Sequence, residues 1–272
     1  MRAKRFIRER GLRFALPEGS ELAHRLESVL ETLYLMFNEG YSRNLSDLIE
    51  ESIRLCRLVA DHHPAAAAPE ADALLALMLL QASRVASRVD SAGDLMLLED
   101  QDRARWDRGR IAEGMRRLDR GARGDRMTAW HIEAGIAAAH ATAPDFASTD
   151  WGYIAHLYDQ LYALNPSPVI ALNRAVAISR WKGASEGLRA IEPIEGHAAL
   201  ARYYLLPATL ARLWLEAGDS ARAAFYYSRA LACDCPPAER RFLERQLQQA
   251  GGPGGLPYPP VDIQQKPGHN SC

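Results

Sequence analysis

Few features of a catalytic, membrane-spanning or disulfide-stabilised protein occur in this sequence. No apolar run approaches the ~20 residues that a helix needs to cross a bilayer, and no secretory leader opens the chain. The four cysteines include Cys233 and Cys235, which lack the second ligand pair of a zinc site, and Cys56, which we expect in the core. Glycine-rich phosphate loops, nucleophile motifs and metal-ligand spacings are also missing. We therefore expect a cytoplasmic protein that is not an enzyme and has no cofactor or metal.

Alternating β-strand patterns are scarce too, whereas alanine and leucine are abundant. With 48% hydrophobic and 25% charged residues, the composition is that of a globular domain. A net charge of −1 gives no overall attraction to nucleic acid or membrane. The composition therefore predicts an all-α fold of antiparallel helical hairpins.

Basic residues are concentrated at the start of the chain, where residues 1–13 hold six basic and one acidic side chain. Residues 1–16 form a basic stub, and its Arg2, Lys4, Arg5 and Arg8 could contact phosphates. Such contacts are weak and salt-sensitive and do not read bases.

Residues 17–126 form a front half made of helices. The first helix is predicted to begin at Ser20 and to end at Gly40, and the run 70–80 is apolar on all sides, which indicates a central buried helix. Glu39 lies near the negative end of the first helix dipole. Either an arginine from elsewhere in the chain pairs with it, or it belongs to a solvated turn.

The acidic loop, Leu97–Asp107, is too polar for a core helix and is predicted to tie the two halves together. Arg84 and Arg88, four residues apart, lie on one helical face before it. A reversal at Gly93 would fold the carboxylates of the loop over the two guanidinium groups as ion pairs. We expect Trp106 to anchor the loop and Asp107 to cap the next helix. The carboxylates in question are Glu99, Asp100 and Asp102.

Two other interpretations of this region stay open. The polar side chains could line a small-molecule pocket where the halves meet, instead of forming a closed network. The loop carboxylates could alternatively bind a metal or perform acid–base chemistry with His131 or His140, although no motif brings a histidine near them. The side chains of the pocket interpretation are Asn38, Glu39, Tyr41, Arg84, Arg88, Asp100, Gln101 and Asp102.

Residues 127–250 form a back half that is repetitive. Leu164 and Leu231 occupy similar positions 67 residues apart, about twice the ~34-residue tetratricopeptide period. This spacing predicts a tetratricopeptide-like α-solenoid in the C-terminal half. Pro207 is expected to kink one of its helices. Residues 251–272, rich in glycine and proline, are predicted to be a disordered tail.

Four motifs together resemble the C-terminal extension of a group of extracytoplasmic-function RNA polymerase sigma factors. They are Phe37–Tyr41, the acidic loop, Thr149–Trp151 and Leu172–Ala177. The basic segment 2–8 similarly resembles the end of the sigma region-four helix that binds the promoter −35 element. The resemblance covers about residues 1–248.

This resemblance implies a regulatory domain that contacts sigma regions two and four or RNA polymerase. The sigma regions themselves are missing from this sequence, which would then be an excised domain, the product of a late start or a stand-alone relative. Promoter DNA is therefore expected as a partner only together with those regions, and no membrane partner is expected. The residues predicted to form the polar network or the partner site are Asn38, Glu39, Tyr41, Arg84, Arg88, Glu99, Asp100, Gln101, Asp102, Arg103, Trp106, Asn173 and Arg174.

Overall fold

The computed structural model describes residues 20–62, 69–90 and 93–251. The basic stub with Arg2, Lys4, Arg5 and Arg8 lies outside these ranges, as does the predicted tail from residue 252 onward. Within the described residues the secondary structure is helical, with one isolated antiparallel bridge between Val89 and Leu95 and no strand. The all-α prediction is confirmed, whereas the solenoid arrangement stays a prediction.

Eleven α-helices and four short 3-10 helices lie in the described ranges. The 3-10 helices are Val85–Ser87, Arg103–Arg105, Glu192–Ile194 and Ala198–Leu200. The α-helices are α1 (Ser20–Arg43), α2 (Ser46–His62), α3 (Pro69–Ala82), α4 (Arg108–Gly121), α5 (Ala129–Thr142), α6 (Trp151–Leu164), α7 (Pro168–Lys182), α8 (Ala184–Ile191), α9 (Leu205–Glu216), α10 (Ser220–Leu231) and α11 (Pro237–Ala250).

Helix α3 is the centre of the front half, as its apolar composition predicts. Every residue from Ala71 to Leu80 is buried, and the helix packs against α1, α2, α4 and α5. Leucines such as Leu74 and Leu77 have no exposed surface, and burying each one contributes about 1.5–3 kcal/mol. This burial holds the front half together.

The prediction that Gly40 ends the first helix is wrong, because α1 continues to Arg43. The missing Cβ of Gly40 lets α2 approach closely, since a Cβ there would lie 3.1 Å from both the backbone nitrogen and Cγ1 of Ile49. The chain turns instead at Asn44, which adopts a φ of 55°, a conformation that asparagine tolerates better than most residues. Gly40 is therefore a packing glycine.

Successive helices of the back half pack on one another: α6 on α7, α7 on α8, α9 on α10 and α10 on α11. Helix α7 ends at Gly183, with a φ of 99°, as predicted. The predicted kink at Pro207 is wrong, because α9 begins only at Leu205. Pro207 thus lies in the first turn, where its missing N–H has no intrahelical acceptor to lose.

No helix in the described ranges combines the length and the hydropathy that a membrane span requires.

Candidate functional site

The acidic loop is fixed at both ends by local structure that the sequence indicates. Gly93, with a φ of 78°, lies in the turn before it, which the Val89–Leu95 bridge closes. Trp106 is 3% exposed and packs with Leu80 of α3 and with residues of α4 and α5. The Asp107 side chain accepts a hydrogen bond from the Arg110 backbone nitrogen at 3.0 Å and so caps α4. The predicted turn, anchor and cap are all present.

The predicted ion pairs between this loop and the two arginines before it are wrong. Among the described residues, no carboxylate lies within ion-pairing distance of Arg84 or Arg88. Asp102 caps the short helix within the loop, accepting from the Ala104 nitrogen at 2.9 Å, and Asp100 is exposed. Glu99 pairs with the back half, as described below. Glu99 and Asp102 therefore have other partners, and Asp100 faces solvent.

Tyr41 contacts both arginines in place of the carboxylates. The Arg88 guanidinium lies 3.9 Å from the centre of the Tyr41 ring and donates a hydrogen bond to the Tyr41 carbonyl oxygen. The Arg84 guanidinium lies 5.9 Å from the same ring centre, within range of a cation–π interaction. Burial lowers the pKa of Arg88 below its ordinary value. The hydroxyl of Tyr41 is buried and has no hydrogen-bond partner among the residues that the structure describes.

Arg103 ties the acidic loop to the connection between α5 and α6. Its guanidinium donates to the carbonyl oxygens of His140, at 2.6 Å, and Ala143, at 2.8 Å, and to the Thr149 hydroxyl at 3.3 Å. The same group lies 4.8 Å from the centre of the Trp106 ring. Two of the motifs behind the sigma-factor resemblance, the acidic loop and Thr149–Trp151, therefore touch each other.

Glu99 ties the loop to the C-terminal helices. Its carboxylate accepts from Arg212 of α9 at 2.6 Å and lies 3.9 Å from Arg180 of α7. Both arginines also pair with Glu216, at 2.6 and 2.9 Å. Burial opposes the charge of Arg212, but the hydrogen bonds that Arg212 donates to Glu99 and Glu216 outweigh it and raise the pKa of Arg212. Glu99, Arg212, Glu216 and Arg180 thus form one network in which acidic and basic side chains alternate.

A second junction lies just before the loop. Asp94 accepts hydrogen bonds from Arg241, at 2.7 Å, and from Arg245, both on α11. These bonds, that from Arg241 first, hold the pKa of Asp94 below its usual range. The loop and the turn before it thus connect the two halves through partners far away in the sequence.

The other residues of the predicted network do not join a common cluster. Glu39 pairs with Arg43 of its own helix at 3.0 Å, and both side chains are exposed to solvent. Its partner is therefore an arginine of the same helix, which differs from both of the predicted alternatives. Gln101 is buried and donates to the Met96 carbonyl oxygen at 3.2 Å, while its own side-chain oxygen has no partner in the described ranges. Arg174 pairs with Asp159 of α6.

One polar cavity, which we call the Arg84 cavity, has a volume of about 370 Å3. It lies where the front-half helices α1 and α3 meet the back-half helices α5, α6 and α7. From the predicted set only Arg84, Trp106 and Asn173 line it, and the side chain of Asn38 hydrogen-bonds one of its walls, Tyr34. The full lining is Tyr34, Leu80, Gln81, Arg84, Trp106, Glu133, Ile136, Ala137, His140, Ala141, Tyr158, Leu161, Val169, Ile170 and Asn173.

Sequence reasoning missed five polar residues of this cavity as pocket residues, namely Tyr34, Gln81, Glu133, His140 and Tyr158. The Tyr34 hydroxyl donates to Glu133 at 2.8 Å, and burial, then the negative charge of Glu133, raises the pKa of Tyr34 above its usual range. The same two causes raise the pKa of Tyr158 to about 12, and burial raises that of Glu133. Burial, with the charges of Arg84 and Arg103, lowers the pKa of His140 to about 4, so the ring is neutral at pH 7.

The spacing of two of these residues in the sequence indicates that they lie together. Glu133 and His140 are seven residues apart, about two helical turns, on the largely apolar helix α5, so they share one face.

A separate apolar groove of about 300 Å3 lies between the acidic loop and the back half. Leu97 and Leu98 of the loop face α9 and α11 residues such as Leu213 and Phe242 across it, and Glu99 also lines it. The loop therefore contributes Trp106 to the Arg84 cavity and its leucines to this groove.

The metal interpretation finds no support in the described residues. These contain no group of three histidine, cysteine or acidic side chains that could hold a metal ion. His131 bonds the Thr128 backbone nitrogen at 3.1 Å and lies 3.2 Å from the Gly121 carbonyl oxygen, which joins α5 to the end of α4. Both ring nitrogens of His131 therefore have structural partners.

Comparisons with known proteins find similarity over both halves. Residues 25–122 match the model of a family described as "Family of unknown function (DUF6596)". The chain is also 38% identical over 252 residues to an uncharacterized protein of Rhizobium meliloti (strain 1021), which covers 90% of this chain and 59% of that protein. The chain thus spans about three fifths of the curated relative that it matches. No solved structure matches the chain, and neither the family description nor the relative's name states an activity, ligand or partner.

Proposed function

We propose that this chain is a regulatory protein-interaction domain that modulates transcription initiation by binding sigma regions two and four or RNA polymerase. The observation that carries the proposal is the convergence of the motifs behind the resemblance. Tyr41 contacts Arg88 just before the acidic loop, and the loop bonds Thr149 through Arg103. Two of the four motifs, the acidic loop and Thr149–Trp151, thus touch each other, and a third contacts an arginine that precedes the loop. The proposal places the protein in the cytoplasm, assigns it no reaction, and treats the back half as tetratricopeptide-like.

An exposed aromatic patch on α6 and α7, made of Tyr153 and Trp181, is the surface that we propose for the partner. These side chains are 49% and 55% exposed, although aromatic residues are costly to leave in water. Trp181 packs on the bare Cα of Gly152, where a Cβ would lie 3.2 Å from its ring, so its position is defined. Interface hot spots are enriched in such anchored aromatic residues.

The direct test is association of the purified chain with sigma regions two and four of a full-length relative that carries them, and with RNA polymerase core enzyme. We expect binding to at least one of them. Trp181→Ala should weaken it about 10-fold or more, as expected for a hot spot, whereas Leu35→Ala, at an exposed leucine on α1, should leave it unchanged. No association with either partner would overturn the proposal. Association that Trp181→Ala leaves intact would overturn the surface only.

The proposal restricts promoter DNA to assemblies that contain the sigma regions. The chain alone should bind a −35 duplex and a scrambled duplex equally and weakly, with affinity falling steeply as salt rises. A preference of the isolated chain for the −35 sequence would contradict this restriction.

A second candidate function, small-molecule sensing, is favoured by the Arg84 cavity. Its volume of about 370 Å3 falls within the usual range of ligand pockets, about 300–1,000 Å3. A thermal-denaturation screen with small polar metabolites should find compounds that stabilise the chain but not its Arg84→Met variant. A screen without such a compound would remove this candidate.

A further inference from the structure

Arg84 brings a positive charge to its cavity, and the described residues give it no matching negative partner. No carboxylate of the described residues lies within ion-pairing distance of its guanidinium, and the contact that it makes with Tyr41 uses the ring face. The neighbouring guanidinium groups are occupied: Arg88 by the Tyr41 carbonyl oxygen, and Arg103 by two carbonyl oxygens and Thr149. Of these three guanidinium groups, that of Arg84 therefore has N–H donors available to a bound anion.

Two further polar atoms of the cavity wall lack partners. Trp106 Nε1 and His140 Nδ1 are both buried and make no hydrogen bond within the described part of the chain, and both residues line the cavity. Such atoms are rare in native proteins, because leaving a buried donor unpaired is unfavourable. The indole nitrogen can only donate, so its missing partner is an acceptor. A ligand oxygen would satisfy it.

The rest of the wall is apolar. Ile136, Leu161, Val169 and Ile170 line the same cavity, so a ligand needs an apolar body as well as a charged end. Glu133 is the one carboxylate in the lining, and it accepts the Tyr34 hydroxyl. Burial raises the pKa of Glu133 above its ordinary value, and the hydrogen bond from Tyr34 opposes that shift.

Only one positive charge is available for a ligand, because the buried His140 ring is neutral at pH 7. A phosphate monoester, with a charge of −1.5 to −2 near neutral pH, would be under-compensated here. A carboxylate matches both the charge and the planar geometry of a guanidinium.

We propose that the Arg84 cavity binds a small organic monocarboxylate with an apolar body, the carboxylate between Arg84 and Trp106 Nε1 and the body against Ile136, Leu161 and Ile170. This inference rests on the ligand-sensing candidate function and does not depend on association with sigma regions.

Calorimetric titration of the full chain tests it with three acids and their uncharged amides: phenylacetate, 3-phenylpropionate and hexanoate, each against its amide. We expect at least one acid to bind about 10-fold or more tightly than its amide, as a charge-assisted hydrogen bond predicts. Equal binding of acid and amide would overturn the monocarboxylate assignment and leave ligand sensing standing. No binding of any of the six overturns the inference. Tighter binding of phenylphosphonate than of every carboxylate would overturn it as well.

Variants then locate the site. Arg84→Met should lower the affinity for the bound acid about 10-fold or more, whereas Arg43→Met, at an exposed arginine of α1, should not change it. Trp106→Phe keeps an aromatic ring in the loop but removes the N–H, and should weaken the acid more than the amide. Circular dichroism checks folding first. If Arg84→Met does not fold, the acid–amide comparison on the unchanged chain still decides. Full affinity in a folded Arg84→Met protein would refute the site.

Discussion

Removing the charge of Glu99 should loosen the junction between the acidic loop and the back half. Glu99→Gln keeps the size of the side chain but deletes its negative charge. Its Oε1 atom accepts from Arg212 at 2.6 Å, and Arg180 lies 3.9 Å from Oε2. The substitution thus leaves two half-buried guanidinium groups with only Glu216 between them.

The expected loss of unfolding free energy is about 1–2 kcal/mol. Hydrogen bonds to charged groups contribute about 1.5–3 kcal/mol, and we take the lower part of this range because the side chains of Glu99 and Arg212 are 26% and 28% exposed. Arg212 also keeps its bond to Glu216. The matched control is Glu39→Gln, whose carboxylate pairs with Arg43 at 55% and 68% exposure. Exposed pairs of this kind usually contribute less than about 0.5 kcal/mol.

Urea denaturation at pH 7, followed by circular dichroism, measures both losses. A double-mutant cycle of Glu99→Gln with Arg212→Gln should give a coupling of about 1 kcal/mol, smaller at 0.5 M salt because the pair is partly exposed. A loosened junction should also broaden the transition, as the halves unfold less cooperatively. Equal losses for Glu99→Gln and Glu39→Gln, or a coupling near zero, would refute the assignment of Glu99 as a connection between the halves.

Three further predictions concern packing and charge. The pKa of His140 is about 4 in the folded chain against 6.5 ordinarily, so the unfolded chain binds the proton first and stability falls as pH drops from 6.5 to 4. Between pH 7.5 and 4.5, the unfolding free energy of His140→Gln should fall by about 2–3 kcal/mol less than that of the unchanged protein. Identical pH dependence of the two proteins would contradict the burial of the ring. Gly114→Ala places a methyl carbon 2.8 Å from a leucine of α3. The Tm of this variant should therefore be several degrees below that of the unchanged protein, which corresponds to a loss of unfolding free energy of about 1–2 kcal/mol. Gly135→Ala meets only ordinary contacts at 3.4 Å and should not lower the Tm; equal effects of the two would disprove the close approach. Arg117→Met removes one partner of Asp72, whose side chain is 1% exposed. The unfolding free energy measured by urea denaturation should fall by about 3 kcal/mol. A loss below 1 kcal/mol would show that the buried charge is compensated.

Features set by neighbouring residues in the sequence were predicted well. The apolar run of α3, the cap at Asp107 and the turn at Gly93 each depend on a few adjacent positions, and the structure contains all three. Gly40 and Pro207 were misjudged for the opposite reason. Each residue type commonly interrupts a helix, but the close approach of Ile49 and the late start of α9 make both compatible with the helices that hold them.

The partners of the acidic loop could not be predicted, because the arginines that are nearest to it in the sequence are not the ones that its carboxylates contact. Glu99 is 11 positions after Arg88 but pairs with Arg212, 113 positions away. The reversal at Gly93 occurs as expected, yet the guanidinium groups before it meet the ring and the carbonyl oxygen of Tyr41. A cation can be satisfied by an aromatic face or a backbone oxygen as well as by a carboxylate, and charge pattern alone does not distinguish these.

The acidic loop reaches both the Arg84 cavity, through Trp106, and helix α7, which carries Trp181 of the proposed partner surface, through Glu99. Its Trp106 lines the Arg84 cavity, while its Glu99 binds Arg212 on the other side of the loop. A ligand that supplied the missing acceptor for Trp106 Nε1 would favour the loop conformation in which both contacts form, because it binds that conformation better than any other. Partner binding that depends on the same conformation would then be linked to the ligand, and each would change the affinity for the other by the same factor. The coupling needs no movement of the helices, only a loop whose two sides are held by different halves of the chain.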